Sequence, residues 1–334
     1  MKYKTILVTE KPACARALLE ALQPDDQTIA ILASGFYPFE LSYPRGLAMA
    51  DFPFIGEPAY KRTAQRAWAW DVGYVFRPGT NRTEKIAVDS LSLLRSEAQI
   101  VFAGDPDAAG VHGFETLISQ TREYPASREI AFKALHLVSL DPRSIRDAWD
   151  APRQTTDEWF VSALEAGRAK RFFEFNFNTN ALAIFGRTLR DLGAQQQYSH
   201  ISKYSLQLLY WLRNFVHGIS EAEAVSAMSA WRGTGKYSRM RLGSPTSYLA
   251  MLDQLMSTGL VAYQGSALCD KRLHLTDMGS SFLARLHPGC EDSDLPGRIG
   301  QWQAAWPGAR PAVERYLRTF FGKQLRFKAH CHRA

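Results

Sequence analysis

The sequence predicts an α/β domain on a parallel sheet, followed by a mainly helical domain that carries a small hairpin. Three observations predict it. Apolar strand-like runs alternate with helix-patterned segments over about the first 140 residues, the pattern of parallel strands joined by helices. After Pro152 the pattern becomes helical throughout. The charge changes with it: residues 1–150 hold 17 Lys and Arg against 19 Asp and Glu, and residues 151–334 hold 23 against 14.

Residues 5–9 read as a buried strand, and Pro12 suits the first turn of a helix running from Ala13 to Leu22. After the turn at Pro24, Thr28 to Ala33 is a second strand ending at Ser34-Gly35. Phe36 to Pro58 is rich in Pro, Gly and aromatics and reads as an ordered loop. Trp68 to Phe76 is strand-like, Arg82 to Ser96 is expected as a helix, and Gln99 to Ala103 as a strand. A helix from Gly110 to Gln120, a short strand at Ala134 to Val138 and a helix from Pro142 to Asp150 follow. Thr156 to Phe173 is a long amphipathic helix with Arg168, Lys170 and Arg171 on its polar side. Phe172, Phe173, Phe175 and Phe177 read as a core cluster at its end, with base stacking as the alternative. Helices at Lys203 to Phe215, Ser220 to Trp231 and Ser244 to Gly259 precede a hairpin at Val261 to Leu275 and a last helix at Thr276 to Leu286. Helix, helix and two-stranded wing is the winged helix-turn-helix layout; Ser244 onward would be its recognition-like helix, with Arg239 and Arg241 before it. The expected domains are 1–150, a helical connector at 151–216, and a basic winged-helix-like domain with a tail at 217–334.

With 334 residues, 46% apolar and 22% charged, the chain has the composition of an ordinary globular protein. No apolar run approaches the roughly 18 residues of a membrane span, and the Met1-Lys-Tyr-Lys start runs into a strand instead of a signal peptide. Cys14, Cys269, Cys290 and Cys331 are widely spaced, which argues against a zinc ribbon or disulfide framework and suits a reducing cytoplasm. The His330-Cys331-His332 run reads as a tail, with a metal chelate as the alternative. A near-neutral half joined to a basic half suggests an acidic site plus a polyanion-binding surface; the plainer reading is a basic solvated surface.

Two segments carry the chemistry. Ile6-Leu-Val-Thr-Glu10-Lys11 and Val101-Phe-Ala-Gly-Asp105-Pro-Asp107 are apolar strands that stop at acid. Open α/β sheets place their chemistry beyond the carboxyl ends of strands. Converging Glu10, Asp105 and Asp107 would make a hard-oxygen site suited to Mg²⁺ and phosphodiester chemistry. Lys11 would steady a phosphate there. The structural alternatives are helix-capping acids and a surface ion pair.

Glu10-Lys11-Pro12 with Ala15-Arg16 resembles the opening of the Toprim domain of type IA DNA topoisomerases, especially the topoisomerase III class, and Asp105-Pro106-Asp107 resembles that domain's Asp-x-Asp turn. Leu137-Val-Ser-Leu-Asp-Pro-Arg, Val161-Ser-Ala-Leu-Glu-Ala-Gly-Arg, the Asn176-Phe-Asn-Thr-Asn180 run (read as a turn), Ser199 to Leu209, Gly243-Ser-Pro-Thr-Ser-Tyr and Leu275-Thr-Asp-Met-Gly279 are similar to later family segments in the same order. The likeness covers about two thirds of the chain. It implies a groove for single-stranded DNA beside the acidic cluster, with Mg²⁺ at Glu10, Asp105 and Asp107. It also implies DNA contacts from Lys203, Arg239 and Arg241; Arg168, Lys170 and Arg171 are candidate phosphate contacts on their own helix face, with a solvated face as the alternative.

The sequence departs from the family at several points. Ala108 and Ala109 stand where the family has Arg and Glu, removing one ligand carboxylate; His112 and Glu115 are the nearest substitutes. Gly35-Phe36-Tyr37 replaces Gly-His-Leu. The gate segment and its nucleophilic tyrosine are missing after Phe215, and the Tyr-x-Arg that follows, Tyr237-Ser-Arg239, lacks the family's continuation. The expectation is therefore a reduced, topoisomerase III-like DNA-binding protein with at most weak Mg²⁺-dependent phosphodiester chemistry, acting on single-stranded, junction-containing or supercoiled DNA. A protein partner would complete any missing function. The alternatives are a non-catalytic accessory, as in plasmid or mobile-element replication, and a winged-helix regulator.

Overall fold

The computed structural model describes residues 3–32, 38–63, 72–122, 131–237, 240–265 and 271–327. Two compact units emerge, Met1–Ser42 with Ala59–Ala169, and Tyr43–Pro58 with Lys170–Ala334. The first is α/β and the second mainly α, which is the fold class expected.

In the first unit β1 (Thr5–Thr9) leads through α1 (Pro12–Leu22) to β2 (Thr28–Leu32). A small antiparallel pair, β3 (Phe39–Leu41) and β4 (Tyr60–Arg62), follows. Then come β5 (Val72–Arg77), β6 (Arg82–Ala87), α2 (Ser90–Leu94), β7 (Gln99–Phe102) and α3 (Ala108–Arg122). The last elements are β8 (Lys133–Ala134), α4 (Pro142–Asp150) and β9 (Arg153–Gln154). The main sheet runs β6-β5-β2-β1-β7-β8-β9. Its four central strands are parallel, while β5, β6 and β9 add antiparallel edges, so the sheet is mixed and not wholly parallel. Strand side chains alternate between faces. Ile6, Val8, Ile29, Ile31, Ile100 and Phe102 therefore pack with α2 and α3, and Leu7, Ala30 and Val101 with α1 and α4.

Of the helix expected at 82–96 only Ser90–Leu94 is helical; its first part is instead β6, which pairs with β5 from Val72 opposite Ala87 to Arg77 opposite Arg82. Its charged residues Arg82, Glu84 and Lys85 suit an exposed edge strand as well as a helix face. The Pro78-Gly79-Thr80-Asn81 turn, with Asn81 at φ 53°, decides between them.

The long helix α5 spans Glu158–Asp191, 34 residues shared by the two units. The Asn176–Asn180 turn that the sequence suggested lies within it. The side chains of Asn176 and Asn180 there take the place of a strand partner for the segment 43–58. Asn176 Oδ1 accepts from Gly56 N–H at 2.7 Å and its Nδ2 donates to Gly56 C=O at 2.9 Å. Asn180 does the same for Phe54, at 2.8 and 2.7 Å.

The second unit continues with α6 (Lys203–Leu212), α7 (Glu221–Ser229), α8 (Tyr248–Ser257), the antiparallel β10 (Val261–Gln264) and β11 (Arg272–Leu275), and α9 (Asp277–Ala284). Ser202, Ser220 and Thr276 cap α6, α7 and α9 through their hydroxyls. The helix expected to be last is followed by α10 (Leu295–Ala304) and α11 (Arg310–Arg326). Proline in the first turn of each reads as a breaker in sequence yet is tolerated there. Phe320 and Phe321 of α11 pack against Phe177 and Phe185 at ring distances of 5.3–6.2 Å. Phe172, Phe173, Phe175 and Phe177 are all buried, so the core reading of these rings holds and base stacking on them does not. No described helix is long and apolar enough to cross a membrane.

Candidate functional site

β1 and β7 are adjacent and parallel, with Val8 opposite Phe102. Glu10 therefore leaves its strand level with Gly104, and Asp105 and Asp107 follow on the loop into α3. Glu10 Oε1 is buried and has no hydrogen-bond partner. It lies against two glycines. A Cβ on Gly110 would strike Glu10 Oε1 and the Asp105 carbonyl, and one on Gly104 would sit 3.5 Å from the same oxygen. The glycines that flank Asp-x-Asp in the sequence are the signal for this close approach.

Burial raises the Glu10 carboxyl to about 7, with the charges of Asp105 and Asp107 adding to the effect. Lys11 Nζ donates to Asp105 Oδ2 at 2.7 Å, and this pairing raises the Lys11 pKa. Asp107 Oδ1 accepts the amides of Ala109 and Gly110 at 2.8 and 2.9 Å, capping α3. Cys14 donates to the Ala103 carbonyl, and burial pushes its thiol to about 11, so it is no thiolate nucleophile.

The donors suit Mg²⁺ in kind, and the orphaned Glu10 oxygen is an open coordination position. They fall short in number, since no cluster of three or more metal-holding residues forms among the described residues. Lys11 already neutralises one carboxylate. His112 is buried and paired with Thr116, and Glu115 is held by Arg168 at 3.6 Å, so neither replaces the carboxylate missing at Ala109.

The raised Glu10 carboxyl couples stability to pH. Its folded pKa lies above the ordinary 4.5, so its contribution is complete below about 4.5 and is lost as pH rises through about 7. Glu10→Gln should therefore be more stable than the wild type at pH 8, by about 1–2 kcal/mol after discounting for solvent screening. The two should converge at pH 4. Urea unfolding at both pH values checks this, and a constant difference would refute the assignment.

The proposed DNA contacts fare differently from one another. Arg168 is paired with Glu165 at 2.7 Å as well as with Glu115, and Arg171 with Glu174 at 2.8 Å. Lys170 is half-buried and has no ion pair among the described residues. Lys203 is buried, 2.8 Å from Glu174. Burial alone would raise Glu174, but Lys203, Arg171 and Lys170 hold it down to about 2. Arg241 is exposed, while Arg239 and the Gly35-Phe36-Tyr37 segment lie outside the described residues. Tyr237 is half-buried, its ring lies on Gly297, and its hydroxyl donates to Gln301.

No family model and no curated protein matches the sequence. Among solved structures the chain is similar to full-length topoisomerase I from Thermotoga maritima, with a TM-score of 0.40 and 15% identity. The similarity covers 63% of this chain and 29% of that one, so the chain spans under a third of that protein's length.

Proposed function

We propose that the chain is a DNA-binding protein, a reduced relative of the topoisomerase III class. It acts on single-stranded or supercoiled DNA, and its acidic rim performs at most slow phosphodiester cleavage. The observation that carries the chemistry is Glu10: a carboxyl with one buried, unpartnered oxygen and a pKa of about 7, beside two aspartates, at the carboxyl ends of adjacent parallel strands. A group half-protonated at neutral pH suits proton transfer to a leaving oxygen. Lys11 stands next to it as a point charge for a non-bridging phosphate oxygen. With Glu10 ionised, it would hold Mg²⁺ together with Asp105 and Asp107, and the metal would supply charge neutralisation of the phosphate; the proton transfer belongs to Glu10 with no metal on it. In this reading a water attacks phosphorus, the bond to the leaving oxygen breaks, Glu10 delivers its proton to that oxygen, and the proton given up by the water restores the Glu10 carboxyl. Support for DNA as the partner comes from the collinear motifs and from the excess of 23 basic over 14 acidic residues beyond residue 150.

A second reading, a non-catalytic DNA-binding accessory, is favoured by Lys11 sitting on Asp105 and by Ala108 and Ala109. Supercoiled plasmid incubated with Mg²⁺ or EDTA separates the two. Mg²⁺-dependent nicking that falls at least about a hundredfold in Asp105→Ala and in Glu10→Gln supports the first. A mobility shift with intact plasmid establishes the second. Preference for a single duplex sequence would overturn both in favour of a regulator.

A further inference from the structure

A second feature lies wholly within the unit formed by Tyr43–Pro58 and Lys170–Ala334. The segment 43–52 and one face of α5 line an open pocket of about 420 Å³. That volume falls within the roughly 300–1,000 Å³ of small-ligand pockets. Thr179, Ala183, Arg187 and Arg190 line it at spacings of four, four and three, one stripe of the helix. Leu47, Met49, Phe52 and Leu182 supply apolar walls. Met49 and Leu182 are 42% and 37% exposed, unusual for large apolar side chains.

The cavity is held in shape from several sides. Tyr43 stacks on Phe175 with centroids 5.7 Å apart and planes 9° apart, and Asn178 Nδ2 donates to its hydroxyl at 3.1 Å. The Asn176 and Asn180 clamps hold the same segment at Gly56 and Phe54. Gly46, at φ 75°, makes a left-handed bend in the segment at the pocket's mouth. At that mouth Arg190 is steadied by Ser199 at 3.1 Å. Arg187 is exposed and has no ion pair among the described residues. Among the described residues no carboxylate lines the pocket.

An open pocket with an aromatic and aliphatic lining and two arginines among its walls fits a flat apolar group attached to an anion. We propose that it is a nucleotide slot, taking one unstacked base of a single DNA strand while Arg187 and Arg190 hold the flanking phosphates. This rests on the DNA-binding reading above and adds to it the place where a strand is gripped. Arginine suits the role because its planar donors match phosphate, and bases settle on apolar and aromatic surfaces with little dependence on sequence.

The test uses fluorescence anisotropy with a labelled oligothymidine, and with the same strand carrying one abasic position at each site in turn. Arg187→Glu should weaken binding by about tenfold and reduce the salt slope by about 1. Leu182→Trp, which fills the slot from an exposed position, should weaken binding by about tenfold with an unchanged salt slope. One abasic position should impose a similar loss on the wild type and none on Leu182→Trp. Thermal unfolding of each variant confirms that it folds. Binding unchanged in both variants would overturn the slot and leave the DNA-binding reading standing. A wild type that binds no strand would overturn that reading itself. Thymidine monophosphate displacing a labelled mononucleotide, without any effect of the variants on strand binding, would make this a free-nucleotide site and also overturn the proposal.

Discussion

Lys203→Ala should destabilise the fold by about 3 kcal/mol, the low end for removing one partner of a buried ion pair. Lys203 is 8% exposed, its Nζ is 2.8 Å from Glu174 Oε1, and its ammonium lies 4.7 Å from the Tyr204 ring centre. Arg171 also pairs with Glu174, which keeps the carboxylate from being wholly abandoned and sets the loss at the low end. The double variant Glu174→Gln with Lys203→Met should recover much of the loss, because neither charge is then left behind. The pair also has an acid signature. Glu174 is held down to about 2, so its contribution is complete above about 4.5 and disappears as pH falls through about 2. Urea unfolding followed by circular dichroism reads both effects. If Lys203→Ala keeps its stability and loses DNA affinity instead, Lys203 is a strand contact and the buried pair is not what holds it.

Asn180→Leu should cost about 2–4 kcal/mol, with a second consequence for the nucleotide slot. The amide of Asn180 both accepts from and donates to the Phe54 backbone. Leucine fills the space but leaves two polar groups without partners, at about 1–3 kcal/mol each, part of which water regains if the segment lifts away. Lifting would also release Phe54 from its edge contact with Phe175, 6.4 Å between centroids, and loosen the strap over the cavity. Hydrogen exchange at residues 54 and 56 should therefore accelerate together, and strand affinity should fall with it. Asn178→Ala removes only the bond to the Tyr43 hydroxyl and should cost about 1 kcal/mol. Equal losses in the two variants would mean that helix propensity, and not the backbone clamp, sets the cost.

The central sheet was legible because its information is local. Runs such as Ile6-Leu-Val and Ile100-Val-Phe are buried on both faces, and such strands are apolar without alternation. The acids at their ends were equally plain, and the pairing of β1 with β7 brings Glu10 beside the Asp105 loop, as open α/β sheets arrange their sites. What that arrangement does with charge was not legible. Spacing cannot reveal that Lys11 would take one oxygen of Asp105 and α3 one of Asp107, or that one oxygen of Glu10 would be left buried without a partner. Edge strand β6 was missed for a different reason. Exposed edge strands and exposed helices are both charged, so only its pairing with β5 tells them apart.

By itself the sequence determined the α/β-then-α order, the buried strands, the phenylalanine core and the acids that end β1 and β7. These depend on neighbours a few residues away. Tertiary structure alone decided that Lys203 is an internal counter-ion, that three asparagines in a helix act as a backbone clamp and rim, and that α10 and α11 close the second core. The partners involved lie 29 residues away for Lys203 with Glu174 and 126 for Asn180 with Phe54. A polar side chain looks the same in sequence whether water or a distant backbone satisfies it. Burial makes the difference, because a polar group out of water must find a partner wherever the fold brings one.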